Sequence, residues 1–169
     1  NLELEHVDYY HDGDIMLRRF RSHLNLLGHR RFVVGRGFAL SDALYRDFGG
    51  LTFPTREELS SKREIAGGPG CRFWGEEGHW IVEFRGVRSA LGDSAEPLHV
   101  IQNRAAALLA AYTFLRVAGR EIEPVPSSFW GTLPGIDRRF EKKGSWRDMA
   151  LIDDYAHHPS EVEALMDQA

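Results

Sequence analysis

A long apolar run in the second half of the chain does most to limit the possible folds. Residues Ile101–Val117 are strongly apolar and rich in alanine, and the run is too long for an ordinary β-strand. Its length predicts a buried α-helix, and Gly119 follows where a helix commonly ends. A chain of 169 residues that is 43% hydrophobic can supply the surrounding core of one domain.

Shorter segments on both sides of this run carry the patterns of strands and helices. Trp80, Val82 and Phe84 are spaced two residues apart, which predicts a β-strand. The segment Arg72–Trp74 is expected to pair with this strand across Gly75–Gly78. The other predicted elements are a helix over Leu17–Leu27 that stops at Gly28, a strand over Arg31–Val34, a helix over Ser41–Phe48 capped by Ser41, a loop over Thr55–Gly70, a strand over Met149–Ile152 and a final helix opened by Pro159. Because strands and helices are mixed throughout, the predicted fold class is α/β, with a mixed sheet flanked by helices.

Charge and cysteine content exclude some classes of protein. The formal net charge of −4 argues against a nucleic-acid binder, which usually has a basic face, although local arginines can still bind small anions. No apolar run reaches the length that crosses a membrane. Cys71 is the only cysteine, so no internal disulfide can form and a reducing, cytoplasmic location is expected.

Two segments have compositions suited to binding nucleotides or metals. Asp153–Pro159 places two acids and two histidines after a predicted strand, where ligands of α/β proteins commonly bind. The carboxylates could bind ribose hydroxyls or a metal, and the alternative is a polar loop that caps the next helix. Asn1–Asp8 contains three carboxylates and His6, which could hold a divalent cation or form an ordinary acidic loop.

Two further segments could bind anions. The adjacent guanidiniums of Arg138 and Arg139 can neutralise phosphate and fork onto its oxygens, although a solvated basic turn has the same composition. Residues His99–Arg104 lie at the start of the long apolar helix, where a helix N-terminus favours anions and ordinary capping is the alternative. Each pattern is modest alone, and their order along the chain is more informative.

Three segments resemble, in order, three motifs of the Mur ligase family. Asn1–Asp8 resembles Asn-aliphatic-Glu-x-Asp-His-x-Asp, with Glu5 in place of the usual Asp. Leu133–Glu141 is similar to Phe-x-Gly-Val-x-Arg-Arg-Phe-Glu, and Ile152–Glu161 is similar to Asp-Asp-Tyr-x-His-His-Pro-Thr-Glu. The His-His-Pro form resembles the branch that adds L-alanine to UDP-N-acetylmuramate and the close relative that recycles murein tripeptide.

The chain departs from the family pattern before the long helix. Where the family has Gly-x-His-Asn-x-x-Asn-Ala, this chain keeps His99 and Asn103 but has Pro97, Val100 and Arg104. Val100 cannot form the hydrogen bonds of an amide side chain, so some of the family's contacts to adenine are put in doubt.

Two more departures concern the organisation of the domain. Pro124 and Pro126 stand where the family has a regular helix, which proline would shorten. The family's phosphate loop, Gly-x-x-x-x-Gly-Lys-Ser/Thr, does not occur in this sequence. The resemblance therefore implies part of a central ATP-binding domain over residues 1–158 and the start of the linker and C-terminal domain over 159–169. It further implies an internal segment of a longer enzyme, with N- and C-terminal domains beyond this sequence, and an isolated segment that is inactive.

The resemblance implies an activity for the parent enzyme. That enzyme would be an ADP-forming ligase of peptidoglycan synthesis that uses ATP and Mg²⁺ to join L-alanine to UDP-N-acetylmuramate through an acyl phosphate. One alternative is the recycling ligase, which attaches a ready-made tripeptide to the same UDP-sugar. A second is a non-catalytic remnant of the fold, which Val100, Arg104 and the missing phosphate loop favour. A third is a metal-dependent hydrolase that uses the histidines.

Site residues follow from the same resemblance, position by position. His6 would be a magnesium ligand that acts in catalysis. Arg139 would contact the ATP phosphates, with Arg138 in support. Asp154 would bind the ribose hydroxyls, and Asn103 would contact the nucleotide base. Tyr155, His157 and His158 would lie at the junction between nucleotide and substrate. Tyr155 would contact the nucleotide, and His157 would act in catalysis.

Overall fold

The computed structural model of the protein describes residues 3–4, 6–27, 33–35, 37–61, 63–134 and 137–168. The chain folds into two compact units, which comprise Asn1–Ser127 (unit 1) and Ser128–Ala169 (unit 2). Helices are mixed with parallel and antiparallel strand pairs, so the predicted α/β class is confirmed. The parallel pair, a four-stranded antiparallel sheet and a two-stranded hairpin form three separate sheets.

Unit 1 begins with alternating helices and short strands and continues with an antiparallel sheet and a long helix. Its elements are α1 (Gly13–Leu27), β1 (Val33–Gly35), α2 (Ala39–Phe48), β2 (Leu51–Phe53), α3 (Arg56–Ser61), β3 (Ile65–Ala66), β4 (Cys71–Glu76), β5 (His79–Phe84), β6 (Val87–Asp93) and α4 (Leu98–Val117). β1 pairs with β2 in parallel, and β3 to β6 form the antiparallel sheet in chain order. The predicted helices and strands correspond to α1, β1, α2, β4, β5 and α4, whereas Gly28 and residues 31 and 32 lie outside the described residues.

The antiparallel sheet buries one face, as its sequence alternation predicts. Trp80, Val82 and Phe84 are almost completely buried, and Phe73 of β4 lies opposite Val82 in the register. Residues 77 and 78 form the two-residue turn between β4 and β5, and both have positive φ. This turn geometry matches the twist of the paired strands, so the predicted hairpin forms where expected.

Helix α4 connects the two sheets of unit 1, because it packs against β1 and β2 of one sheet and against β5 and β6 of the other. The predicted burial applies to one face only, since Ile101 and Leu109 are fully buried whereas Phe114 is 71% exposed. None of the helices in the described ranges combines the length and the apolar character needed to cross a membrane.

Helix α4 ends at the position that the sequence predicts. Gly119 adopts the left-handed φ of +66° just after the helix, a conformation that glycine takes without strain. Its N–H donates to the carbonyl of Arg116 at 3.1 Å, and the Arg120 N–H donates to the carbonyl of Leu115 at 2.8 Å. These two bonds satisfy carbonyls that the helix leaves unpaired, as in a Schellman motif.

The prediction that Ser41 caps α2 is wrong. The helix begins two residues earlier, at Ala39, and Ser41 is fully buried inside it. An acid of the first turn serves the N-terminal end instead, because the Asp42 carboxylate accepts a hydrogen bond from the Gly37 N–H at 3.2 Å. The burial of Ser41 therefore reflects packing of α2 rather than capping.

The loop predicted over Thr55–Gly70 is wrong in part, because the segment contains α3 and β3. The start of α3 is a reciprocal capping box. The Glu58 N–H donates to Thr55 Oγ1 at 3.1 Å, and the Thr55 N–H donates to the Glu58 carboxylate at 2.9 Å. This Thr-x-x-Glu pattern is a local signal of a helix start that is visible in the sequence.

The segment with the two prolines covers part of the outer edge of β6. The Val125 N–H donates to Ser89 Oγ at 2.9 Å, and the Ala90 N–H donates to the Val125 carbonyl at 2.9 Å. Pro124 and Pro126 lack an N–H, so they cannot donate to extend this pairing along the edge. Residues 120–126 form no regular helix.

Unit 2 consists of a hairpin followed by one helix. Strand β7 (Glu141–Trp146) pairs with β8 (Met149–Asp153), and α5 (Pro159–Met166) follows after a short loop. The predicted strand over Met149–Ile152 and the predicted helix start at Pro159 are confirmed. A 3-10 helix, Ser127–Thr132, lies at the boundary between the two units.

Candidate functional site

The eight predicted site residues divide between the two units. His6 and Asn103 belong to unit 1. The other six lie in unit 2, on the loops that flank the β7–β8 hairpin: Arg138, Arg139, Asp154, Tyr155, His157 and His158.

Asp154 joins the two loops of unit 2 through its carboxylate. One oxygen accepts a hydrogen bond from the Phe140 N–H at 2.7 Å, and the other accepts one from the Ala156 N–H at 2.7 Å. A backbone hydrogen bond from the Tyr155 N–H to the Arg138 carbonyl, at 2.9 Å, runs alongside. The half-buried carboxylate therefore holds the turn with the arginines beside the segment with the tyrosine and histidines.

The turn that displays the arginines has a strained backbone. Arg138 and Phe140 have φ values of +57° and +48°, a region that costs non-glycine residues roughly 1–2 kcal/mol each. The Glu141 carboxylate accepts a hydrogen bond from the Arg138 N–H at 3.0 Å, as Asp154 does from Phe140. Carboxylates thus hold the backbone on both sides of Arg139. Glu141 belongs to the sequence motif without an assigned role there, although an acid three residues after a turn residue is the spacing of a capping contact.

Tyr155 lies among two guanidiniums and one imidazole. The guanidinium carbons of Arg138 and Arg139 lie 5.2 and 5.9 Å from the centre of its ring, and the His157 ring meets it edge-on with the ring centres 5.0 Å apart. Arg138 also lies 3.6 Å from a carboxylate oxygen of Asp153, whereas no carboxylate in the described part of the chain forms an ion pair with Arg139. Both arginines are exposed, so they present two guanidiniums to an anion.

The start of α5 fixes the two histidines. The Glu161 carboxylate accepts hydrogen bonds from the backbone N–H groups of His157, at 3.1 Å, and His158, at 3.3 Å. The bond from His157 is the main cause that lowers the pKa of Glu161 below its ordinary value. The ring of His157 is placed by a 2.9 Å contact between its Nδ1 and the Tyr155 carbonyl. Glu161 therefore both caps the helix and orients the histidine segment.

His6 lies in an exposed turn near the start of unit 1. Its φ is +50°, and its carbonyl accepts hydrogen bonds from the N–H groups of Tyr9 and Tyr10, each at 2.8 Å. Within the described ranges, no three His, Cys, Asp or Glu side chains are grouped so that they could hold a metal ion, and Glu5 lies outside those ranges.

Asn103 is exposed on the second turn of α4, between two residues whose side chains are anchored. Gln102 Nε2 donates to the carbonyl of Pro54, which directly follows β2, at 2.9 Å. Arg104 forms two contacts of 2.7 Å with the Glu96 carboxylate. Arg104, which departs from the family motif, thus forms an ion pair with Glu96.

The single cysteine lies in the core rather than among the candidate site residues. Cys71 is 5% exposed, and burial raises the pKa of its thiol to about 12. The thiol is therefore protonated at neutral pH and is poorly suited to act as a nucleophile.

Replacing Asp154 by alanine tests its role as the link between the loops. We expect the free energy of unfolding of unit 2 to fall by about 1–3 kcal/mol, because two backbone N–H groups lose their acceptor. Urea denaturation measures the loss, and faster hydrogen exchange at the amides of Phe140 and Ala156 would locate it. The neighbouring change Asp153→Ala is the control and is expected to cost less than about 1 kcal/mol, because it removes only an exposed ion pair. Equal losses for the two variants would contradict the assignment.

The chain matches curated proteins over its whole length. A UDP-N-acetylmuramate–L-alanine ligase of Synechococcus sp. (strain RCC307) is 32% identical over 174 residues, which covers 100% of this chain and 33% of the relative. A protein of the same name from Leuconostoc citreum (strain KM20) is 29% identical, with 100% of this chain and 36% of the relative covered. A third, from Salinibacter ruber (strain DSM 13855 / M31), is 56% identical over 39 residues, which are 23% of this chain and 8% of the relative.

Two further comparisons gave no match, because neither a family model nor a solved structure matches the chain. The chain spans about a third of the length of the first two relatives. The aligned region extends over both unit 1 and unit 2.

Proposed function

Because the chain belongs to the Mur ligase family, we propose that it is part of the ATP-handling domain of a ligase that joins L-alanine to UDP-N-acetylmuramate. The relatives that match its whole length are named for that activity. The proposed reaction forms ADP and phosphate and contributes to peptidoglycan synthesis.

The arginine pair beside Tyr155 is the observation that carries this proposal. Arg139 is exposed, and its backbone neighbours are held by carboxylates, so its guanidinium is displayed from a fixed turn. A displayed guanidinium is suited to neutralise and bind the oxygens of ATP phosphates. Asp154 would bind the ribose hydroxyls from the adjoining loop, and Asn103 would contact the base.

The proposed chemistry activates a carboxylate that is itself a poor electrophile. A carboxylate oxygen of the muramate attacks the γ-phosphorus of ATP, and the bond to ADP breaks, which leaves an acyl phosphate. The amine of L-alanine then attacks the acyl carbon, loses a proton, and inorganic phosphate leaves. In such a reaction the protein mainly positions the reactants and neutralises charge. Arg139, with Arg138 in support, would neutralise phosphate oxygens, and His157 would lie at the junction with the substrate.

Magnesium would accompany ATP in this reaction. In phosphoryl-transfer sites Mg²⁺ is usually held by one or two protein ligands together with substrate phosphates, so a complete cage of protein ligands is not required. His6 is the described side chain that the family motif aligns with a metal ligand, although Mg²⁺ prefers oxygen to imidazole. When bound, the ion would screen the negative charge of the phosphates.

An acceptor assay on the full-length protein tests the proposal. With ATP and UDP-N-acetylmuramate, we expect L-alanine to cause release of ADP, measured by a coupled assay, and formation of the alanyl product, measured by mass spectrometry. Turnover with the tripeptide L-alanyl-γ-D-glutamyl-meso-diaminopimelate, and not with L-alanine, would assign the recycling reaction instead. If no ADP were released with L-alanine or with the tripeptide, the result would contradict a ligase and support a non-catalytic domain.

A further inference from the structure

The second turn of α4 is fixed on both sides by residues that the proposed function does not use. Gln102 and Arg104 bind other elements of unit 1, whereas Asn103 between them is exposed. We propose that Arg104, through its ion pair with Glu96, is a positioning residue that fixes Asn103 for contact with the nucleotide base. This inference rests on the proposed function, in which Asn103 makes that contact.

The ion pair of Arg104 has the geometry of a fork. Nη1 and Nη2 each lie 2.7 Å from a different oxygen of Glu96, and Nη1 also donates to the carbonyl of Leu91 at 3.0 Å. The side chains of Arg104 and Glu96 are only 19% and 33% exposed, so solvent screens the pair less than a surface ion pair. A bidentate pair fixes direction as well as distance. It therefore ties the second turn of α4 to β6 and to the loop that leads into the helix.

The loop before α4 is arranged around this fork. A Glu96 oxygen that binds Arg104 also accepts a hydrogen bond from the Asp93 N–H at 2.8 Å, and the Asp93 side chain accepts one from the Ala95 N–H at 2.7 Å. Gly92 has a φ of +143°, and a Cβ built there would overlap the Arg104 guanidinium and the Glu96 carboxylate. The Arg104–Glu96 ion pair in this position therefore requires a residue without a side chain at Gly92.

Gln102 anchors the same turn to the other sheet. Its 2.9 Å hydrogen bond to the Pro54 carbonyl holds α4 at the end of β2, whereas the Arg104 fork holds it at the end of β6. The helical turn that carries Asn103 is therefore anchored to both sheets of unit 1 before any ligand binds. A contact that is placed in advance loses less conformational freedom on binding, which increases affinity.

The test is the KM for ATP in the full-length protein, with L-alanine as acceptor. We expect Arg104→Ala to raise this KM about tenfold, which is below the hundredfold that a misplacement of about 1 Å can cause. The value of kcat should stay within about twofold, because a base contact remote from the phosphates contributes uniform binding. Glu96→Gln should act in the same direction, and Arg104→Lys, which keeps the charge but not the fork, should lie between the wild type and Arg104→Ala.

A matched control separates positioning from stability. Arg88 on β6 also binds a carboxylate by two contacts, at 2.8 and 2.7 Å to Glu76, and Arg88→Ala should leave the KM for ATP unchanged. If Arg104→Ala lowers the melting temperature but leaves the KM for ATP at the wild-type value, the fork is only structural and this inference is wrong while the proposed function stands. A wild-type protein that neither binds ATP nor releases ADP would overturn the proposed function and this inference together.

Discussion

Arg139→Ala is expected to lower kcat/KM for ATP about 100- to 1,000-fold in the full-length protein, the range seen when one charge-stabilising donor is removed from an active site. The effect should be large because the guanidinium is exposed and no carboxylate in the described part of the chain is paired with it. The guanidinium lies over the Tyr155 ring and its charge helps to lower the pKa of Glu161, but it is exposed and therefore accessible to a ligand. Steady-state kinetics with varied ATP measure the loss, and circular dichroism checks that the variant is folded.

Two companion variants decide whether geometry or charge matters at this position. Arg139→Lys keeps the positive charge but loses the planar fork, so we expect it to recover only part of the activity. Arg147→Ala is the control, because Arg147 is also an exposed arginine of unit 2 whose guanidinium lies against an aromatic ring, 4.6 Å from the centre of Trp146. It should retain activity within about twofold of the wild type. If Arg139→Ala retained activity as Arg147→Ala does, the phosphate-binding role would be refuted.

Periodic patterns in the sequence predicted part of the core of unit 1, whereas β2 and β6, which also supply buried residues, were not predicted. The alternation around Val82 and the apolar run of α4 both report how a segment is buried, and burial follows from residue type and spacing. The predicted hairpin of β4 and β5 and the predicted end at Gly119 were correct for similar reasons, because each depends on residues next to one another in the chain. The capping box at Thr55 is equally local, so α3 could have been predicted from the same kind of signal.

The support of the candidate site could not be predicted in this way. The bond between the Phe140 N–H and Asp154 joins residues 14 positions apart, and its existence depends on the left-handed backbone of the intervening turn. The Arg104 fork depends equally on the conformation at Gly92 and on the loop that presents Glu96. Sequence motifs identified which side chains to consider, but the contacts that hold them also depend on the backbone conformation, which a pattern of residue types does not specify.

The largest effect on stability is expected at Phe73, in the antiparallel sheet. Its side chain is completely buried, and in the register it lies between Ile65 on one neighbouring strand and Val82 on the other. We expect Phe73→Ala to lower the free energy of unfolding of unit 1 by about 3–5 kcal/mol, through lost burial and the cavity that remains. This is a large share of the roughly 5–15 kcal/mol that stabilises a typical domain. Urea denaturation followed by far-ultraviolet circular dichroism measures the change.

Phe114→Ala is the matched control, because it removes the same side chain from the same unit at a position that is 71% exposed. Its cost should be within about 0.5 kcal/mol, and similar losses for the two variants would contradict the assignment of Phe73 to the core. The comparison also bears on function. Because α4 packs on β5 and β6, loss of the sheet removes the support of the turn that displays Asn103. Phe73→Ala reduces the amount of native protein, but the molecules that remain folded keep this support and should bind ATP normally. Arg104→Ala should instead weaken ATP binding in protein that remains folded.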